Sequence, residues 1–204
     1  MGLFGGSFNP PHLGHVAVAQ AVRDALGLDA LWLMPAGKPP HKPDHPEMAS
    51  AEDRLEMTRL AAGEAGLEVT DVELRRTGPS YTIDTVRALE AAHPEAEFHF
   101  LIGADSVDEL PTWHRAAELL AEVPFVVVAR PGHSIEEGLA VVARELGPEA
   151  AASLRARVVR APELPISSTA IRQKIKDGDP TWRNDVPPGV ARFIEERGLY
   201  RRSA

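Results

Sequence analysis

Cysteine is absent from the 204-residue chain. That excludes disulfides, thiolate nucleophiles and zinc–thiolate centres, and it is compatible with a reducing compartment. No apolar run reaches membrane-spanning length, and the first residues carry no basic n-region. Gly6 stands where a myristoylation signal opening on Met1-Gly2 has Ser or Thr. A soluble cytoplasmic protein with no membrane partner is therefore expected. Positive charge is also scarce: 22 Lys and Arg against 30 Asp and Glu give a net charge of −8. A sequence-independent grip on nucleic acid relies on clustered cations, so no nucleic-acid partner is expected. Two phosphate fingerprints are missing as well, since no Gly-x-Gly-x-x-Gly opens the chain and no Gly-Lys-Ser/Thr occurs in it.

What is present concentrates between Gly5 and His15, Gly-Gly-Ser-Phe-Asn-Pro-Pro-His-Leu-Gly-His. Gly5 and Gly6 offer positive-φ freedom and close backbone approach, Ser7 and Asn9 can cap or bend the chain, and the prolines end a strand over 1–4. Val18, Val22 and Leu26 recur at i, i+4 and i+8, which predicts a helix beginning near Pro11 with His12 and His15 in its first turn. Unpaired N–H groups and a partial positive charge make such a helix start a place for a phosphate.

Further along, short apolar runs at 30–34, 97–102, 125–129 and 157–160 and an alternating stretch at 67–74 predict strands of a parallel sheet. Between them, Ser50 followed by Asp53 marks a capped helix with a Leu55, Thr58, Ala62 stripe and no chemistry. Ile83, Val86 and Leu89 mark another helix, entered through Ser80-Tyr81-Thr82, and 135–146 a peripheral one. The stretch 35–46 is too rich in proline for regular structure. It reads either as a solvated connection or as a loop whose Lys38 or Lys42 reaches a phosphate. Gly103 and Asp105 stand at a strand's carboxyl end, where open parallel sheets bind ligands; Asp105 there caps a helix or holds ribose hydroxyls. Trp113 is a core residue or a stacking partner for a heteroaromatic ring, and Arg130 ends another strand. Ser167 and Ser168 cap a helix with Arg172 in its first turn and Lys174 and Lys176 beyond. The closing helix of Val190, Phe193 and Ile194, followed by Gly198 and Tyr200, shows no chemistry. The length suits one α/β domain over 1–204.

Gly5-Gly6-Ser7-Phe8-Asn9-Pro10 with His12-Leu13-Gly14-His15 resembles the His-x-Gly-His signature of the nucleotidylyltransferase superfamily. Ile166-Ser167-Ser168-Thr169-Ala170-Ile171-Arg172 resembles its second marker, Ile-Ser-Ser-Thr-x-Ile-Arg. Within that superfamily, Pro39-Pro40-His41-Lys42, Pro79-Ser80-Tyr81-Thr82, Gly103-Ala104-Asp105-Ser106 and Thr112-Trp113 resemble the bacterial nicotinate mononucleotide adenylyltransferases over nearly the full length. The resemblance implies a Rossmann-like, doubly wound parallel α/β fold. It also implies adenylyl transfer from ATP to nicotinate mononucleotide in NAD biosynthesis, with magnesium bound through the ATP phosphates and no metal ligands from the protein. Carried over by position, it makes His15 and Arg172 catalytic, assisted by His12 and Lys42. Gly5, Gly6, Ser7, Phe8, Gly103, Asp105, Ile166, Ser167 and Ser168 would border ATP together with His12, His15 and Arg172. Lys42, Tyr81, Thr82, Asp105, Trp113 and Arg130 would meet the pyridine nucleotide. Asn9 departs from the Asp that many members carry. The alternatives are transfer to nicotinamide mononucleotide or phosphopantetheine, a non-catalytic nucleotide sensor, and a tRNA-binding synthetase fragment.

Overall fold

The computed structural model describes residues 1–37, 47–129, 134–162 and 164–202. Six strands form one parallel sheet: β1 (Gly2–Gly6), β2 (Leu31–Pro35), β3 (Glu68–Val69), β4 (His99–Gly103), β5 (Phe125–Ala129) and β6 (Val158–Arg160). Their order is β3-β2-β1-β4-β5-β6, the doubly wound order in which the chain reverses direction across the sheet between β1 and β4. The helices are α1 (Leu13–Leu26), α2 (Ala51–Ala65), α3 (Thr82–Ala92), α4 (Ala116–Glu122), α5 (Glu136–Leu146), α6 (Pro148–Arg155), α7 (Ser168–Asp177) and α8 (Pro188–Arg197).

Alternation along the strands explains why helices cover both faces. Phe100, Ile102, Phe125 and Val127 project into one core with Ile83, Val86 and Leu89 of α3, Leu139 of α5 and Leu154 of α6. Their neighbours Leu101, Val126 and Val128 project into a second core with Val18, Ala19 and Val22 of α1. A third cluster, built from Met57 and Ala61 of α2, Ile171 of α7, Trp182, and Val190 and Ile194 of α8, attaches the C-terminal helices beside α2. Each fully buried aliphatic or aromatic side chain in these layers contributes about 1.5–3 kcal/mol.

Two local expectations change. The strand expected over 67–74 is reduced to Glu68–Val69, because Leu74 and Arg75 N–H turn back onto the Asp71 carbonyl at 2.9 and 3.1 Å and close a turn instead. The stripe of α2 is rotated from the one expected: Arg54, Met57, Thr58, Ala61 and Ala62 are buried and Leu55 is only partly so. Ser50 caps that helix as expected, its hydroxyl accepting from Asp53 N–H at 3.0 Å.

Candidate active site

The reversal between β1 and β4 opens a crevice at their carboxyl ends. A cavity of about 270 Å³ lies there, lined by Gly5, Gly6 and Ser7 from the end of β1, Gly103 and Ser106 after β4, Tyr81 and Thr82 at the start of α3, and Trp113 and His114. Of the expected site residues, the sheet thus brings Gly5, Gly6, Ser7, Gly103, Tyr81, Thr82 and Trp113 to one cavity.

Of the two properties expected of the glycines, positive φ is not used. Neither Gly5 nor Gly6 has a positive φ; the positive value on this loop belongs to Phe8, at 45°. What the glycines supply is space, since a Cβ on Gly5 would meet the Phe100 ring at 3.3 Å and one on Gly6 the Phe8 ring at 3.1 Å. Phe8 is fully buried, with its ring edge-on to His15 at 5.0 Å, so only its backbone is left to border a ligand.

His12 is the N-cap of α1 rather than part of its first turn, and His15 is the third helical residue. The two rings stack with centroids 3.7 Å apart. His15 Nδ1 accepts the backbone N–H of His12 at 3.2 Å, which leaves Nε2 as the donor of the neutral ring. Gly14 is dictated by the same packing: a Cβ there would lie 3.0 Å from the His12 ring. The His-x-Gly-His spacing is thus a stacked pair with a residue beneath it too small to push it apart.

The start of α7 meets this loop from the other end of the chain. Ser167 caps α7 by accepting from Ala170 N–H at 3.1 Å, and Ser168 Oγ donates to the Pro10 carbonyl at 2.8 Å. Ile166 ends the approach, with its carbonyl 3.9 Å from where a Gly14 Cβ would sit. The start of α7 is thus tied to the segment that leads into α1. Arg172 lies in the second turn of α7, not the first. It is only 8% exposed, and its guanidinium donates to the Asn9 carbonyl at 2.9 Å and to Glu47 at 3.2 Å.

Several residues that hold this loop were missed or set aside in the sequence. Asn9 is buried and uses its whole amide: Oδ1 accepts from Ala49 N–H at 3.0 Å and Tyr200 O–H at 2.8 Å, and Nδ2 donates to the Glu47 carbonyl at 3.0 Å. A carboxylate could not make the last bond, which accounts for an amide rather than an acid at this position. Tyr200 thus gives the C-terminal segment a role that its sequence did not show, and burial pushes its phenol pKa up, keeping it a donor. Arg54, on a helix expected to be purely structural, donates to the Ser7 carbonyl at 2.9 Å. Burial lowers its guanidinium pKa, offset in part by the nearby Glu52, Glu73 and Tyr200. No spacing rule links these positions to the loop.

The opposite wall is aromatic. Tyr81 caps α3 and stacks on His114 at 4.2 Å; Trp113 packs edge-on to Phe100 and Phe125 at 6.2 and 6.3 Å. Trp113 is thus half core and half cavity wall. Behind Tyr81 sits Glu73, 6% exposed, whose carboxylate accepts from Gly37 N–H and the Thr85 hydroxyl, both at 3.1 Å. Burial raises its pKa despite those donors and the nearby Arg76 and Arg54. Ser80, also lining the cavity, is 7% exposed, and its hydroxyl has no hydrogen-bond partner among the described residues. The alternation that predicts a strand over 67–74 gives by itself no signal that Glu73 is buried. Asp105 is exposed on a 3-10 turn over Ala104–Ser106, its carboxylate folded back over Gly103; it sits beside the cavity rather than within its lining. Lys42 and Arg130 lie outside the described residues.

The cytidylyltransferase-like family model matches residues 3–174. A probable nicotinate-nucleotide adenylyltransferase of Geobacillus kaustophilus is 46% identical over 201 residues, covering 98% of this chain and 85% of its own. One from Gloeobacter violaceus is 44% identical over 207 residues, covering 98% and 95%. In fold, the chain superposes on the Plasmodium falciparum nicotinic acid mononucleotide adenylyltransferase complexed with NaAD with a TM-score of 0.76 at 18% identity, over 98% of this chain and 96% of that one. The chain therefore belongs to the cytidylyltransferase-like family and, within it, to the nicotinate-nucleotide adenylyltransferases.

Proposed function

We propose that this chain, acting as one nucleotidylyltransferase domain over 1–204 in the cytoplasm, transfers the adenylyl group of ATP to nicotinate mononucleotide, forming nicotinate adenine dinucleotide and pyrophosphate. The observation that carries the reading is a cavity lined by Gly5, Gly6 and Ser7 on one side and by Tyr81, Thr82 and Trp113 on the other, with the stacked His12 and His15 rings at the start of the helix that follows β1. The acceptor's phosphate oxygen attacks the α-phosphorus, one P–O bond forms, and the bond to the departing pyrophosphate breaks. That nucleophile is ionised at neutral pH, so the enzyme needs no general base. Positioning and charge stabilisation carry the catalysis.

His15, donating from Nε2, and Arg172 stabilise charge on the α-phosphate and pyrophosphate; His12, stacked on His15, and Lys42 assist. The backbone of Gly5, Gly6, Ser7, Phe8 and Ile166 to Ser168 borders ATP, and Gly103 and Asp105 flank the ribose. Tyr81, Thr82, Trp113 and Arg130 frame the pyridine. Among the described residues no three His, Asp or Glu side chains converge into a metal cage. The helix starts at Leu13 and Ser168 offer N–H groups, which suit phosphate oxygens, so magnesium fits as a passenger on the nucleotide rather than as a protein-bound ion. When bound it neutralises phosphate charge.

The test is pyrophosphate release from ATP and magnesium with nicotinate mononucleotide, nicotinamide mononucleotide or phosphopantetheine as acceptor. Turnover highest with nicotinate mononucleotide is expected. ATP binding without release for any acceptor would make the protein a nucleotide sensor instead.

A further inference from the structure

Helix α7 carries two cations one turn apart, and one carboxylate from outside the cavity meets both. Arg172 Nε lies 3.2 Å from Glu47 Oε2, and Lys176 Nζ contacts Oε1 of the same side chain. Lys174, between them in sequence, faces elsewhere and pairs with Asp185 at 2.7 Å. Glu47 precedes α2, and its backbone carbonyl is held by Asn9 Nδ2 at 3.0 Å, which fixes its position beside the loop leading to His12. The two cations hold the Glu47 carboxyl below the usual carboxylate range, Lys176 having the larger influence.

This arrangement sits awkwardly with a phosphate-binding Arg172. The arginine side chain is 10% exposed and its fork is shared among the Asn9 carbonyl, Glu47 and, at 3.5 Å, the Thr169 hydroxyl of its own helix, so a ligand competes with these partners for it. The Asn9 carbonyl is part of the backbone and cannot leave. Glu47 can, since its side chain is 34% exposed. A carboxylate offering one oxygen to each of two cations also presents the charge and acceptors that non-bridging phosphate oxygens would present.

We infer that Arg172 and Lys176 together form a polyphosphate subsite, and that Glu47 is an internal stand-in displaced when the triphosphate of ATP, or pyrophosphate, enters. The inference rests on adenylyl transfer for the identity of its ligand. One carboxylate leaves a net positive charge on the pair, and a polyphosphate brings several charges and more acceptor oxygens, so it wins the competition. Glu47 weakens phosphate binding by competing for the cations, and Lys176 strengthens it.

Isothermal titration of the wild type, Glu47→Gln and Lys176→Met with ATP–magnesium and with inorganic tripolyphosphate tests this, with circular dichroism and Tm confirming the fold. Glu47→Gln should tighten both ligands by about two- to fivefold, and Lys176→Met should weaken both by a similar factor, the scale of a partly exposed ion pair. Glu47→Asp, whose shorter arm cannot span both cations, should also tighten both ligands and replaces Glu47→Gln if that variant does not fold. Weaker or unchanged binding in the Glu47 variants would make Glu47 a permanent orienter of Arg172 and overturn the inference. Unchanged binding in Lys176→Met would remove Lys176 from the subsite and overturn it equally. A wild type that releases no pyrophosphate from ATP and nicotinate mononucleotide would defeat the functional reading, whereas the tripolyphosphate titrations would still decide this one.

Discussion

The two walls of the crevice are built on different principles. On the side proposed for phosphate, the loop from Gly5 to His15 is gripped by polar contacts from five residues: Arg54 on Ser7, Tyr200 and Ala49 on Asn9, Arg172 on the Asn9 carbonyl, and Ser168 on Pro10. On the side proposed for the pyridine, Trp113 rests on the edges of Phe100 and Phe125, and Tyr81 on His114; among the described residues Glu73 is held there by polar contacts from Gly37 and Thr85. A wall that must aim donors at developing charge requires fixed geometry, because such donors act only when they are oriented in advance. A wall that captures a flat ring by stacking tolerates slack.

If that contrast is right, the largest effect comes from the phosphate side. His15→Ala should lower kcat by about a hundredfold or more while changing the KM for ATP far less, the mark of an interaction concentrated in the transition state. Near-normal turnover would remove His15 from the chemistry. Arg172→Lys should follow, with kcat down by roughly tenfold, because a point ammonium cannot serve the Asn9 carbonyl and a phosphate together. Leaving that buried carbonyl unpaired should also cost about 1–3 kcal/mol in denaturant unfolding. Equal activity and stability would show Arg172 to be replaceable by any cation.

The pyridine side should show its difference through pH. Glu73 binds its proton more tightly folded than unfolded, since burial raises its pKa above the ordinary 4.5. The folded chain therefore holds more protons, and this group's contribution to stability falls as pH rises through the window above about 4.5. Glu73→Gln should then gain Tm relative to the wild type progressively across that window. A constant difference between the two melting curves from pH 4 to 8, spanning the ordinary carboxylate range and beyond, would mean that Glu73 is fully compensated by its donors. A smaller, more selective effect belongs to Thr82, the first residue of α3. Proline is tolerated there and removes only an N–H with no helical partner. Thr82→Pro should compress the ratio of kcat/KM for nicotinate over nicotinamide mononucleotide without unfolding the protein. An unchanged ratio would place discrimination elsewhere.

The same contrast governs what could be read in the sequence. The geometry of this loop and of the α7 start was legible because it is local: stacked histidines three residues apart, a glycine between them, and Ser167 capping the helix that carries Arg172. The sheet was legible for a similar reason, since strands buried on both faces leave short apolar runs such as 125–129. The stretch 67–74 misled because alternation also describes a chain that turns back at Asp71. The supports were invisible, because Arg54 and Tyr200 reach the loop from 47 and 191 positions away. Nothing in α2 or after α8 signals which buried polar group it will meet. His114 was overlooked beside Trp113, since stacking on Tyr81 depends on how the α3 start and the segment before α4 approach one another.

The most direct test of the division between the walls compares His15→Ala with Trp113→Ala in full steady-state kinetics with both mononucleotides. The account predicts that His15→Ala acts on kcat. Trp113→Ala should instead raise the KM for acid and amide by a similar factor, equivalent to roughly 1 kcal/mol or more, with kcat nearly intact and their ratio preserved. A Trp113→Ala enzyme that loses turnover as severely as His15→Ala, or loses its preference for the acid, would contradict it.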